Sequence, residues 1–123
     1  MNPKLRIAAI TDEFTSDLEP ALNAMSAIGM TGAELRVLWG KNIMNLSADE
    51  LKRAQQLTRD KGFEVISIAS PILKCVLPGG PEIDSRFQHD IFASKHSFDD
   101  QPRLADQAFD IAEMMGAKII RVF

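Results

Sequence analysis

Leu46-Ser47-Ala48-Asp49-Glu50-Leu51 and, a few turns on, Gly62-Phe63-Glu64-Val65-Ile66-Ser67-Ile68-Ala69 decide the fold. The first segment reads as a helix start. Ser47 and Glu50 have the spacing of a capping box, and Leu46 and Leu51 occupy the hydrophobic-staple positions. Leu51, Ala54 and Leu57 continue as an apolar stripe, and Gly62 stands where a helix over Ser47 to Lys61 should stop. The second segment predicts a strand over Phe63 to Ala69, because Val65, Ile66 and Ile68 are β-branched. A helix running straight into such a strand is the second half of a βαβ unit.

The rest of that unit lies upstream, in Gly32 to Leu38, which reads as another strand. Before it, Ser16 or Asp17 caps a helix with Leu18, Leu22, Met25 and Ile28 on one face. Pro20 falls in its first turn, where a missing N–H costs little, and Gly29 ends it. Leu5 to Ile10 is short and apolar and reads as the first strand. Downstream, Pro71 to Asp100 is a long connection carrying the turn signal Pro78-Gly79-Gly80-Pro81. A short helix is expected between Asp84 and Ala93, with Phe87, Ile91 and Phe92 inward. Pro102 to Met115 is a third helix, carrying Leu104, Ala108, Ile111, Ala112 and Met115 on one side and stopped by Gly116. Lys118 to Phe123 is the fourth strand. The order β-α-β-α-β-loop-α-β predicts an α/β fold with parallel strands and right-handed crossovers.

The chain has 123 residues, which suits one domain, and a formal net charge of −3. That balance argues against a dedicated nucleic-acid binder. With 46% hydrophobic and 25% charged residues the chain reads as globular and not disordered. No apolar run approaches the ~20 residues that span a bilayer, and no secretory leader is expected from Met1-Asn2-Pro3-Lys4-Leu5. Cys75 is the single cysteine, which excludes an internal disulfide framework and fits a reducing cytoplasm. One Cys and two His cannot build a zinc finger.

In parallel α/β structures, ligands bind at the carboxyl ends of strands. That rule selects Thr11-Asp12-Glu13, Glu34, Arg36, Trp39, Ser70, Lys74 and Arg121. Glu34 and Arg36 are two apart on a strand and should share one face, with Leu35 and Val37 turned toward the helices. An interior charge needs a partner or a ligand, so Glu34 either meets substrate or pairs with an arginine such as Arg121. Trp39 could wall a sugar pocket or anchor its loop. Lys74 could hold an anionic or hydroxylated ligand or stand in solvent. His89 and His96 are seven apart, not the three or four of a helical metal pair, and default to exposed loop positions. Cys75 has no nearby His in sequence and reads as a small hydrophobe. No nucleotide-binding glycine motif is present.

Taken together, Ile10-Thr11-Asp12-Glu13-Phe14, Gly29 ahead of Gly32-Ala33-Glu34-Leu35-Arg36, Trp39-Gly40-Lys41-Asn42, Ala69-Ser70-Pro71 with Lys74, and Gly116-Ala117-Lys118 leading to Arg121-Val122-Phe123 resemble the sugar phosphate isomerase/epimerase group. That group belongs to the xylose-isomerase-like TIM barrels. The resemblance implies a (β/α)8 barrel of ~250 residues or more, of which these residues supply strands 1 to 4, the N-terminal half. It implies metal-assisted proton transfer through an enediolate. The divalent metal (Mn, Mg, Co or Zn) would be held by Glu, Asp, His and Glu from later strands, so no metal ligand and no catalytic residue is assigned to this chain.

The expected substrate-binding residues are Glu34, Arg36, Trp39, Ser70, Lys74 and Arg121, oriented around a sugar or sugar phosphate. The chain is expected to be cytoplasmic, inactive alone, and to form homo-oligomers by pairing exposed strand edges. The alternative is a non-catalytic half-barrel that binds or assembles. An abasic-site endonuclease-type barrel fits less well, since the ends of strands 3 and 4 carry no His.

Overall fold

A computed structural model describes residues 5–82 and 96–123 of the chain. The expected helix over residues 84–93 and His89 lie outside the described residues. The strands are β1 (Ala8–Ile10), β2 (Gly32–Leu35), β3 (Val37–Leu38), β4 (Lys41–Asn42), β5 (Glu64–Ala69) and β6 (Ile119–Arg121). The α-helices are α1 (Leu18–Ala27), α2 (Ala48–Asp60) and α3 (Gln101–Met115). Four strands form one parallel sheet in the order β1-β2-β5-β6, and β3 and β4 form a small antiparallel hairpin. The protein is thus α/β with a parallel sheet.

Sequential order has a geometric consequence. When each parallel strand is followed by its neighbour through a right-handed crossover, every helix lands on the same side of the sheet. The core agrees. Leu18, Leu22 and Met25 of α1, Ala54 of α2, and Leu104, Ala108 and Ile111 of α3 form one cluster with Ala33, Leu35, Val65 and Ile68 of the sheet. The opposite face of the sheet carries no helix among the described residues.

Helix boundaries follow their caps. The Ser47 hydroxyl accepts the Glu50 N–H at 3.2 Å while the Glu50 carboxylate accepts the Ser47 N–H at 2.8 Å, the reciprocal capping box. Gly116 closes α3 at φ 73°, a left-handed conformation that glycine adopts without strain. A short 3-10 turn at Phe98–Asp100 precedes α3, and Ser97 donates its N–H to Asp100 at 2.9 Å. Helix α1 ends at Ala27, one residue short of Ile28, which therefore turns outward and is exposed.

Three strands differ from their expected extents. The first spans Ala8–Ile10 and the last Ile119–Arg121, both shorter than the apolar runs around them. The second, expected over Gly32 to Leu38, leaves the sheet at Arg36. Val37 and Leu38 instead pair with Asn42 and Lys41 across a two-residue turn, with Trp39 at φ 53° and Gly40 at φ 75°. Two positive φ values suit the twist of a tight hairpin. Trp39 tolerates its value because its N–H is tied to the Ser16 carbonyl at 2.6 Å.

Strand β5 also departs from simple alternation. Ala33 pairs with Val65 but Glu34 pairs with Ser67, so the register slips by one residue between them. This irregularity lets Val65 and Ile68, three apart, both reach the helix-covered core. Gly32 is required beneath this point: a Cβ there would lie 2.7 Å from Ala8 Cβ and 3.0 Å from Ile66 Cγ1.

Candidate functional site

Cross-strand partners in a parallel sheet share a face. Ile10, Glu34, Ser67 and Ile119 therefore line up on the side opposite Leu35 and Ile68, and Arg121, two residues past Ile119, joins them. Leu35 and Val37 are buried, and Glu34 and Arg36 are partly exposed. Glu34 makes no hydrogen bond or ion pair within 4 Å among the described residues.

The most organised contact is one between Arg36 and Asp12. The turn Thr11–Glu13 at the end of β1 sets Asp12 beneath the point where β2 leaves the sheet. Arg36 Nη2 donates to Asp12 Oδ2 at 2.7 Å and Nε donates to the same carboxylate at 3.2 and 3.3 Å. A second carboxylate, Glu13, accepts from Nη2 at 2.9 Å through Oε1. Asp12 also accepts the N–H of Val37 at 3.2 Å. Asp12 thus replaces the ladder bond that Val37 loses when the strand breaks. Both side chains are largely sequestered, at 5% and 15% exposure for Asp12 and Arg36. The hydrogen bond to Asp12 raises the pKa of Arg36 above its ordinary value against the opposing effect of burial.

Arg121 sits differently. Its guanidinium lies over the Phe123 ring, 4.7 Å from the centroid, and Lys74 Nζ stands 5.0 Å from the same ring. Nη2 reaches only the carbonyls of Ser70 and Ala69, at 3.4 and 3.5 Å. Nε is buried with no partner. Burial, and after it the positive charge of Arg36, pulls the pKa of Arg121 below its ordinary value, while Glu34 and Asp12 pull it back. Glu34 is therefore within electrostatic reach of Arg121 without the contact pair that the sequence offered as one possibility.

Ser70 is fully buried, and its hydroxyl donates to the Arg121 carbonyl at 2.5 Å and accepts the Ile72 N–H at 3.3 Å. It clamps the end of β5 to β6. Trp39 is separate from the group. It packs on the core, its ring lies beneath Arg53 at 4.8 Å, and its indole N–H donates to Asp17 at 3.3 Å. His96 Nδ1 lies 3.8 Å from Asp100, remote in sequence from all of these. Of the six expected residues, Glu34, Arg36, Ser70, Lys74 and Arg121 gather around the strand ends, and Trp39 serves the loop.

Asp12 and Glu13, selected by their place at the end of the first strand, are not among the six expected substrate-binding residues, and Ser67 is in neither set. The signal for the first two was present, because they stand at the carboxyl end of the first strand. Ser67 was hidden by the register slip in β5. Among the described residues no three His, Cys, Asp or Glu side chains gather to hold a metal ion. No helix there is long and apolar enough to cross a membrane. A separate groove of about 450 Å³, lined by Ile72, Leu73, Phe98, Asp99, Gln101, Pro102 and Ala105, is mainly apolar. Its amide, Gln101, is spent on Leu73 N–H at 2.7 Å and Ser97 C=O at 2.8 Å. No family model, no curated protein and no solved structure matches this chain.

Proposed function

We propose that this chain is the substrate-orienting N-terminal half of a cytoplasmic sugar (phosphate) isomerase/epimerase of the (β/α)8 type. The observation that supports it is the sheet with sequential strand order, helices on one face, Glu34 and Arg121 on the other, and the Arg36–Asp12 pair at the carboxyl ends of its first two strands. In a closed barrel that second face is the interior, and its carboxyl end is where substrate binds. Glu34 would accept a hydrogen bond from a substrate hydroxyl, and Arg121 would donate to a substrate oxygen. The Arg36–Asp12 pair would hold the wall between them rigid.

The reaction is proton removal beside a carbonyl and its return to the neighbouring carbon or the opposite face. A divalent metal would polarise the two substrate oxygens. The described residues do not fit that ion, since Asp12 and Glu13 are both committed to Arg36. Metal and proton-transfer groups therefore belong, in this proposal, to later strands of the barrel.

A titration of the isotope-labelled chain followed by NMR tests the reading. With a neutral ketose, a sugar acid and a sugar phosphate as probes, shifts are expected at Glu34, Ser67, Ser70 and Arg121 for at least one of them. Glu34→Gln should weaken that binding on the order of 10-fold, the worth of one charge-assisted hydrogen bond. No binding by any probe, or shifts confined to the groove beside Phe98, would overturn it.

A second reading, a non-catalytic assembly module, draws on a different observation. Leu5 and Ile7 by β1, and Ile119, Val122 and Phe123 by β6, are all exposed large hydrophobics at the two edges of the sheet. Among the described residues β1 and β6 are the outer strands, each with one side unpaired, which favours pairing with a second copy. Sedimentation equilibrium giving a dimer or larger species at micromolar concentration supports that assembly; a stable monomer removes it.

A further inference from the structure

Arg121 is the least satisfied charged group on the bare face among the described residues. Nε has no acceptor although it is buried. Nη1 has none either and keeps access to solvent. The two bonds from Nη2 are long, at 3.4 and 3.5 Å, and end on neutral carbonyls. No carboxylate lies within ion-pair distance, whereas Arg36 has two. The face is therefore polarised. Asp12, Glu13 and Glu34 stand by β1 and β2, and a guanidinium with no carboxylate in contact stands over β6 with Lys74 sharing its aromatic ring.

We propose that Arg121, seated over Phe123, receives the carboxylate of a polyhydroxy acid whose hydroxyl chain runs toward Glu34. The inference rests on reading this face as a sugar site and narrows its ligand to acidic sugars. A neutral sugar would leave the Arg121 charge without a counter-ion in a partly desolvated position. A carboxylate matches the planar guanidinium in two parallel bonds.

A phosphate fits less well. Phosphate sites draw on clusters of free backbone N–H groups, and those beside Arg121 are already used. Ile72 N–H goes to Ser70 Oγ at 3.3 Å and Leu73 N–H to Gln101 at 2.7 Å. Lys74 N–H goes to the Pro71 carbonyl at 3.0 Å and Phe123 N–H to the Ile72 carbonyl at 2.9 Å. A dianion would also sit within electrostatic reach of Glu34.

The test is calorimetric titration of the chain with D-gluconate, D-fructose and D-fructose 6-phosphate. Gluconate should bind at least about 10-fold more tightly than fructose, and Arg121→Gln should erase that preference by weakening gluconate on the order of 10- to 100-fold. Arg121→Lys, which keeps the charge but not the fork, should retain part of it. With the unaltered chain, added salt should weaken gluconate and leave fructose unchanged; this readout does not depend on any variant folding. Equal affinity for gluconate and fructose overturns the inference and leaves the sugar site standing. Tighter binding of the phosphate replaces the carboxylate and also overturns it. Failure of all three ligands to bind overturns the sugar site itself.

Discussion

Arg36, in the break just past the end of β2, and Arg121, at the end of β6, stand at the carboxyl ends of strands in one parallel sheet under opposite circumstances. Arg36 is met by two carboxylates, the nearer at 2.7 Å, and one of them also caps the broken end of its own strand. Arg121 meets carbonyl oxygens at the limit of hydrogen bonding, plus an aromatic ring. The first arrangement is closed on itself and adds rigidity where β2 leaves the sheet. The second is open. A partly buried charge with spare donors is costly in isolation, so it marks where an incoming group would gain most. Charge alone does not distinguish the two; the accounting of each donor does.

The sharpest way to break this contrast is Asp12→Ala. It leaves Arg36 without its main partner and Val37 N–H without an acceptor. A loss of about 3 kcal/mol is expected, the low end for a broken buried pair because Glu13 and solvent still reach Arg36. Urea unfolding measures it, and a loss below 1 kcal/mol (on the order of an exposed pair) would mean the pair is no brace.

Ser70→Ala probes the scaffold under Arg121. It strips the clamp from the part-buried Arg121 carbonyl and the buried Ile72 N–H and should cost about 2 kcal/mol. Arg121→Gln should cost less than about 1 kcal/mol in the same assay, since its side chain forms no strong bond in the unliganded chain. If Arg121→Gln proves as damaging as Asp12→Ala, the two arginines are equivalent and the open-site argument fails.

The smallest effect is expected on the helix side, where the partly exposed Glu50 serves as the comparison. Hydrogen bonding by Lys41, then by the Ser47 N–H, lowers its pKa below the ordinary 4.5. The folded state therefore holds that proton less tightly than the unfolded one. Its contribution to stability is present above about pH 4.5 and is lost as the pH falls below it. Glu50→Gln should flatten the acid limb of a pH-dependent melting profile slightly; an unchanged limb would show that the capping carboxylate is not felt globally.

Much of the architecture was legible because it depends on local rules. The Ser47–Glu50 box, the Gly116 stop and the Leu104 to Met115 stripe each specify an element through contacts within a few residues. The buried face of α1 followed in the same way, apart from Ile28, where one residue of boundary error turns a side chain outward. The Gly32 to Leu38 run reads as one strand in sequence because its alternation continues past the point where the ladder ends. That end is set by Asp12, 24 residues earlier than Arg36, reaching across to take the Val37 N–H. Ser67 escaped notice because the register slip beside it is a property of two strands together.

The sequence by itself determined the alternation of strands and helices, their caps, and the collection of charged residues at strand ends. Those are consequences of periodicity and of hydrogen bonds between near neighbours. Tertiary structure alone decided which charges are satisfied. Arg36 and Arg121 look alike in a string of letters. One is neutralised and the other is not, because chain segments brought together by the sheet deliver Asp12 and Glu13 to the first, and only backbone carbonyls and Phe123 to the second.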